Sequence, residues 1–214
     1  YLFEANLRAD GSSRFAKQSR WGFFPSFSAG WRIEQESWMK NSGFDLLKLR
    51  ASWGMLGNNS IGNYDYQATY KAHNYSFNNV LVNGLAVSSF ANNALRWEAT
   101  TSTDVGLDIG VLNNRLTAEV DVYNKVTDGI LYRPTIYLTA GTATAPYENI
   151  AEVTNRGVEL TLGWRDSVKD FQYSFSGNFA FNHNRVSKYK GALKEYWEEG
   201  AGGLRTFVSN LGEV

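Results

Sequence analysis

The sequence predicts an all-β protein, folded as an antiparallel meander of long strands. Three observations predict it. Apolar and polar residues alternate with a period of two through most of the chain, the alternating runs are about ten residues long, and short connections between the runs alternate with long ones. Soluble strands usually have about five or six residues, whereas a tilted strand of about ten residues crosses a bilayer. The predicted fold is therefore part of a transmembrane β-barrel.

The central hairpin, residues 103–122, has the clearest pattern. Two alternating runs flank a polar turn at 112–115. One face of each run is apolar and the other carries carboxylates, which a packed interior would not accept unpaired. The carboxylate face must therefore meet water, and the apolar face must meet either a second sheet or lipid.

Seven alternating stretches are predicted to be strands. The first begins at Tyr1 and ends at the turn 10–13. The second contains Pro25, whose missing N–H group predicts a bulge or a strand end at that position. The predicted strands are about 1–9, 23–33, 44–55, 103–110, 116–132, 157–164 and 171–182.

The connections between these strands differ in length. We expect long outer loops at 57–96, 133–155 and 186–214, with a hairpin turning at Asn83–Gly84 in the first of them. Short connections and long outer loops alternate in outer-membrane barrels, whose strand ends carry Trp and Tyr. About seven spanning strands would give a consistent up-and-down path, which favours a barrel over a soluble sandwich.

Composition excludes several classes of function. The 21 Lys and Arg residues balance 21 Asp and Glu residues, so no global field points to nucleic acid. The chain has no cysteine, which excludes disulfides and thiolate metal sites. No apolar run is long enough for a transmembrane helix.

The charged residues of the predicted strands indicate a hydrated wall rather than a catalytic site. Their spacing follows the strand period, and the two histidines, His73 and His183, lie in separate contexts without ligand spacing. A hydrolase would need a nucleophile and a base, which this pattern does not supply. We therefore predict no catalytic residue, metal or cofactor, and no enzyme activity. The predicted lumen-facing residues are Glu4, Arg8, Lys48, Arg50, Asp104, Asp108, Glu119, Asp121 and Glu159.

Aromatic residues in the long connections are candidates for contact with a substrate or a lid protein. Trp and Tyr rings stack on sugars, and carboxylates accept hydrogen bonds from hydroxyls, so the acidic and aromatic run 195–199 suits a glycan. Packing of such loops on their neighbours is the alternative interpretation. The candidate contact residues are Tyr64, Tyr66, Tyr137, Tyr147, Tyr196 and Trp197.

Blocks along nearly the whole chain resemble, in order, the SusC/RagA-type TonB-dependent outer-membrane transporters. The blocks are ANLRADGSSRF (5–15), WGFFPSFSAGWRI (21–33), LLKLRASWGMLGN (46–58), LRWEATTSTDVGLDIG (95–110), LNNRLTAEVDVYNKVTDGIL (112–131), NRGVELTLGW (155–164) and FSGNFAFNHNRV (175–186). The resemblance implies a plugged barrel of the 22-stranded type in the outer membrane of Bacteroidetes-type bacteria. It also implies import of oligosaccharides or peptides, a SusD-like surface lipoprotein as partner, and energy supplied through TonB.

The same resemblance implies a plug and a TonB-binding segment, neither of which matches any stretch of these residues. We therefore expect residues 1–214 to be a later portion of the barrel, whose two sheet edges need partner strands within the lipid. The competing hypothesis is a soluble or surface-attached, β-rich carbohydrate-binding module. It predicts that the phenylalanine-rich face of 171–181 packs on a second sheet.

Overall fold

The computed structural model contains one large sheet of seven antiparallel strands. It describes residues 1–40, 42–134, 136, 138–141, 143–190, 195–199 and 205–209, with the backbone alone for Leu138 and the last two ranges. The order in the sheet is β1-β2-β3-β6-β7-β8-β9, and every neighbouring pair is antiparallel. The predicted antiparallel meander is confirmed. The strands of the sheet are β1 (Leu2–Gly11), β2 (Trp21–Arg32), β3 (Phe44–Asn58), β6 (Glu98–Val111), β7 (Leu116–Tyr132), β8 (Glu148–Val168) and β9 (Phe171–Tyr189).

Two further pairs of strands form separate hairpins. β4 (Thr69–Phe77) pairs with β5 (Val80–Ser89), and β10 (Glu195–Glu199) pairs with β11 (Arg205–Ser209). The first hairpin is inserted between β3 and β6, and the second follows β9. Among the residues described, no helix combines the length and the apolar character needed to cross a membrane.

The register of the sheet separates apolar from polar side chains. Because side chains alternate along a strand, residues paired across neighbouring strands lie on the same face. One row of paired residues crosses all seven strands and contains no polar side chain. Its members are Phe3, Ala29, Ala51, Val105, Val122, Val158 and Phe181. We call the face that carries this row the apolar face and the opposite one the polar face.

Nothing described packs against the apolar face. Along β9, Phe171 and Phe175 are each 69% exposed, and Phe179 and Phe181 are 63% and 60% exposed. The competing hypothesis required a second sheet at this position, and none lies there in the described part of the chain. A contiguous apolar surface of this size is typical of a face that meets lipid or another protein.

The short connections lie at one end of the sheet. The β6–β7 turn has left-handed backbone at Leu112, Asn113 and Asn114, with φ of 59°, 59° and 55°. The N–H of Asn114 donates to Oδ2 of Asp45 at 2.9 Å, which ties this turn to the start of β3. The β8–β9 connection is the two-residue turn Lys169–Asp170.

The long connections at the other end enclose a small core. Phe15 and Leu95 are fully buried, and Ile61 is buried beside them. The ring of Trp97 packs on that of Phe15 at a centroid distance of 5.2 Å, and Leu131 also packs on the cluster. This loop core fixes the segments around 11–20, 59–67 and 90–97 against the sheet.

Parts of the predicted long connections are β-strands in the structure. The segment 57–96 contains the end of β3 and the whole β4–β5 hairpin, β8 already begins at Glu148, and β9 continues to Tyr189. Near their outer ends the strands carry polar residues on both faces, as at Thr100 and Thr127, whose hydroxyls lie 3.0 Å apart. Alternation therefore disappears from the sequence while the backbone remains paired.

Two local predictions are wrong. The hairpin turns at Asn78–Asn79, with φ of 48° and 62°, and not at Asn83–Gly84, which pairs with β4. Pro25 neither ends nor bulges β2, because it pairs with Leu7 on one side while pairing with β3 starts only at Ser26. Pro25 therefore lies where β2 is paired on one side only, a position at which a strand tolerates proline.

A buried carboxylate holds the β2–β3 connection. Glu34 is 8% exposed, and its Oε2 accepts a hydrogen bond from the N–H of Leu47 at 3.2 Å. Its Oε1 accepts from Nε of Arg32 at 2.6 Å. Burial raises the pKa of Glu34, but the hydrogen bonds that its carboxylate accepts outweigh burial and hold this pKa below its ordinary value.

We expect Glu34→Gln to lower the free energy of unfolding of the full-length protein by about 1.5–3 kcal/mol at neutral pH, because charged hydrogen bonds are lost. The unfolded state binds a proton near pH 4.3, before the folded state does, so this stabilisation is present above about pH 4 and disappears as the pH falls further. Urea titrations in detergent between pH 3 and 7 measure it. Glu148→Gln is the control, because no hydrogen bond of the Glu148 side chain is described, and equal pH profiles for both variants would contradict the assignment.

Candidate functional site

The polar face gathers the residues that were predicted to line a lumen. Eight of the nine lie in three adjacent rows of paired residues, and Arg8 lies on the same face of β1, four residues after Glu4. The rows contain Glu4 with Asp104, then Arg50 with Asp121 and Glu159, then Lys48 with Asp108 and Glu119.

Arg50 is the centre of an ion-pair network on this face. Its Nε donates to Oδ1 of Asp108 at 2.8 Å, and its Nη2 donates to Oδ2 of Asp121 at 3.2 Å. Nζ of Lys48 lies 3.8 Å from Asp108. The three residues of the central contacts are partly buried, with side-chain exposures of 32%, 16% and 25% for Arg50, Asp108 and Asp121. Partial burial reduces solvent screening, so these pairs hold the polar face of β3, β6 and β7 together.

Gly106 makes the long reach of Arg50 possible. Arg50 lies on β3 and Asp121 on β7, with Gly106 of β6 paired between them. A Cβ atom on Gly106 would collide with Oδ1 of Asp121 and lie 2.8 Å from Cζ of Arg50. The guanidinium therefore occupies the space that a side chain at residue 106 would fill.

The next row repeats this arrangement with a different side chain. Tyr123 of β7 lies over Gly157 of β8, and its hydroxyl is 3.3 Å from Oδ1 of Asn182 on β9. A Cβ on Gly157 would collide with the Tyr123 ring. Tyr123 lies within β7, on the polar face.

The polar face carries more negative than positive charge. The three rows contain six carboxylates against the cations Arg32, Lys48 and Arg50, and Asp104, Glu119 and Glu159 form no ion pair with any residue described. A shallow groove of about 530 Å³ brings Glu4 and Asp104 together with Lys48 and Arg50. Arg8 pairs instead with Asp10 at 2.8 Å. Such a surface can accept hydrogen bonds from hydroxyl, amide and ammonium groups.

The predicted aromatic contact residues have different environments. Tyr66 and Tyr147 pack against the loop core, and the Arg133 guanidinium lies 4.3 Å from the centroid of the Tyr147 ring. Tyr64 is 65% exposed, in a turn with a φ of 65°. Tyr137 lies outside the described residues.

The last two aromatic candidates lie in the final hairpin. The backbone of Tyr196 and Trp197 is in β10, paired with Val208 and Phe207, and their side chains lie outside the description. Of the three candidates whose side chains are described, Tyr66 and Tyr147 pack on the same loop core, and Tyr64 is exposed. Among the described residues, no group of three or more His, Cys, Asp or Glu side chains could hold a metal ion.

Sequence reasoning missed the apolar tip of the β4–β5 hairpin. Tyr75 and Phe77 lie 4.9 Å apart between ring centroids, are paired with Val82 and Val80, and are each more than 60% exposed. The signal that could have located this tip is the pair Asn78–Asn79 between two β-branched or aromatic runs, since asparagine tolerates left-handed backbone.

We expect Gly106→Ala to destabilise the full-length protein by about 1–3 kcal/mol, because the methyl group would displace Arg50 or Asp121. Gly177→Ala is the matched control, since a Cβ at Gly177 meets no atom within 4 Å. Urea unfolding followed by heat-modifiable gel mobility measures both. Equal midpoints would show that the guanidinium does not need the space over Gly106.

Comparisons with known proteins agree with this architecture. The family model described as TonB dependent receptor-like, beta-barrel matches residues 1–210. The TonB-dependent receptor SusC of Bacteroides thetaiotaomicron is 37% identical over 198 residues, which are 89% of this chain and 20% of that protein. The TonB-dependent receptor P39 of Formosa agariphila is 39% identical over 188 residues, 87% of this chain and 18% of that protein.

Solved structures give the same result. The RagAB peptide transporter matches with a TM-score of 0.80 and 31% identity over 99% of this chain and 23% of the solved chain. The RagAB peptide importer in its closed-closed state matches with a TM-score of 0.76 and 26% identity, over 99% of this chain and 28% of the solved chain. The chain spans about a fifth of the length of the curated relatives it matches. It belongs to the TonB-dependent receptor β-barrel family of SusC and RagA type, located in the outer membrane.

Proposed function

We propose that these residues form part of the wall of an outer-membrane, TonB-dependent importer of oligosaccharides or peptides. The observation that carries the proposal is the register: one apolar row crosses all seven strands, while the ion-pair network of Arg50 lies on the opposite face. In a barrel wall the apolar face contacts lipid and the polar face lines a hydrated lumen.

The length of the apolar face supports this assignment. From Phe171 to Phe181 the chain advances ten residues, about 33 Å at 3.3 Å per residue. At a tilt of about 40° this becomes about 25 Å, the height of the apolar band of an outer-membrane barrel. The apolar face is therefore as tall as the hydrocarbon it would meet.

The role is binding and passage of cargo, without catalysis. Hydroxyl-rich or amide-rich cargo would exchange hydrogen bonds with Asp104, Glu119 and Glu159 as it passes, since these carboxylates have no ion-pair partner among the residues described. A SusD-like lipoprotein would meet the long connections, and energy would come through TonB by way of a plug. These partners are proposed from the relatives SusC and RagAB, whose names state receptor and peptide import roles.

A pair of adjacent substitutions tests the assignment of the two faces. Leu160→Arg places a charge on the apolar face and should cost about 2–4 kcal/mol near the bilayer midplane, so that the full-length barrel fails to assemble. Glu159→Arg changes the neighbouring residue on the polar face and should assemble. Heat-modifiable mobility of membrane extracts measures assembly, and equal tolerance of both changes would reverse the assignment.

Uptake in the native bacterium tests the transport role. A strain without the full-length receptor should lose growth on one class of oligosaccharide or peptide as sole carbon source, and a proton uncoupler should stop accumulation of a fluorescent member of that class. Re-expression of the wild-type gene should restore growth. Unimpaired growth on every oligosaccharide and peptide tested would contradict an importer role.

A further inference from the structure

Two arginines follow the apolar face at its outer end. On β8 the face ends at Val158, and the next side chain on that face belongs to Arg156. On β9 the face ends at Phe181, and Arg185 lies two positions further along the same side, after His183. Both arginines are exposed.

The register brings these two arginines close together. Arg156 is paired with His183, and Arg185 is paired with Thr154, so the arginines are diagonal neighbours on adjacent strands. Diagonal positions are separated by about 7–8 Å, which long side chains can bridge. Both guanidinium groups can therefore reach one ligand.

The positive charge of this pair is not compensated locally. The carboxylates in the row beyond them have their own cations: Asp128 pairs with Arg96 at 3.1 Å, and Glu152 pairs with Lys188 at 2.6 Å. Nε of Arg156 donates to the neutral Asn124. Neither Arg156 nor Arg185 forms an ion pair with a carboxylate among the residues described.

Along the membrane normal, Arg156 and Arg185 lie at the level of the lipid headgroups. Phe171 follows the short β8–β9 turn, and Phe181 is about 25 Å higher across the bilayer at a tilt of about 40°. Arg185 is four residues beyond Phe181, which adds about 10 Å along the membrane normal. The long connections lie at this end, so the pair faces the outer leaflet.

We propose that Arg156 and Arg185 bind the phosphate of an outer-leaflet lipid whose acyl chain lies against Val158 and Phe181. Guanidinium groups bind phosphate oxygens through paired, charge-assisted hydrogen bonds, and the apolar face continues directly below them. The site rests on the proposed lipid-facing assignment and does not depend on the imported cargo. It would fix the rotation and height of the wall relative to the membrane surface.

Native mass spectrometry of the full-length receptor tests this site. The delipidated protein is mixed with diphosphorylated lipid A or with dephosphorylated lipid A of the same acyl composition. We expect the wild type to bind the phosphorylated form at least tenfold more tightly, and R156Q/R185Q to lose that preference. The control K17Q/K71Q removes the same charge from exposed residues of the loops and the β4–β5 hairpin and should behave as the wild type.

The outcomes separate this site from general charge attraction. Heat-modifiable mobility establishes that each variant is assembled, and partial binding by R156K/R185K is expected because lysine supplies charge without the planar fork. Equal binding of the two lipids by the wild type would overturn the proposal on its own, before any variant is measured. So would unchanged lipid preference in R156Q/R185Q, or an equal loss in K17Q/K71Q. Failure of the uptake experiment would leave this result unaffected.

Discussion

The register of the seven-stranded sheet is the constraint on which the rest of the structure depends. Side chains alternate with a period of two, so a slip of one residue in any pair would move carboxylates to the apolar face and leucines to the polar face. Leu107 pairs with Val120, and the next residue, Asp108, pairs with Glu119. A slip of one residue would therefore pair Leu107 with a carboxylate. A charged side chain in hydrocarbon is costly, and a row of them would exclude the slipped pairing.

Glycines give this register further specificity. On the polar face, Arg50 passes over Gly106 and Tyr123 passes over Gly157, so each long side chain contacts a residue two strands away. Such contacts form only when three strands are simultaneously in register. They link neighbouring pairs into one unit, while the turn contact of Asn114 with Asp45 and the buried Glu34 secure the short-turn end.

Much of this architecture could be predicted from the sequence, because alternation is a local signal. The hairpin around 112–115 and the two faces of β8 and β9 could be read from neighbouring residues. The crossing of Arg50 over Gly106 could not, since it depends on pairing between segments more than fifty residues apart. The hairpin turn was misplaced because Asn78–Asn79 and Asn83–Gly84 are both good turn sequences. The turn at Asn78–Asn79 allows β4 to pair along its whole length.

The absence of cysteine from this sequence allows a direct measurement of which face meets lipid. Single cysteines at positions 158 to 162 of β8, in a cysteine-free full-length receptor reconstituted in liposomes, can be spin-labelled and tested for collisions with oxygen and with a water-soluble nickel chelate. We predict strict alternation: labels at Val158, Leu160 and Leu162 collide with oxygen, and labels at Glu159 and Thr161 collide with nickel. Low accessibility to both reagents at Val158, Leu160 and Leu162 would place the apolar face in a protein core and contradict the account.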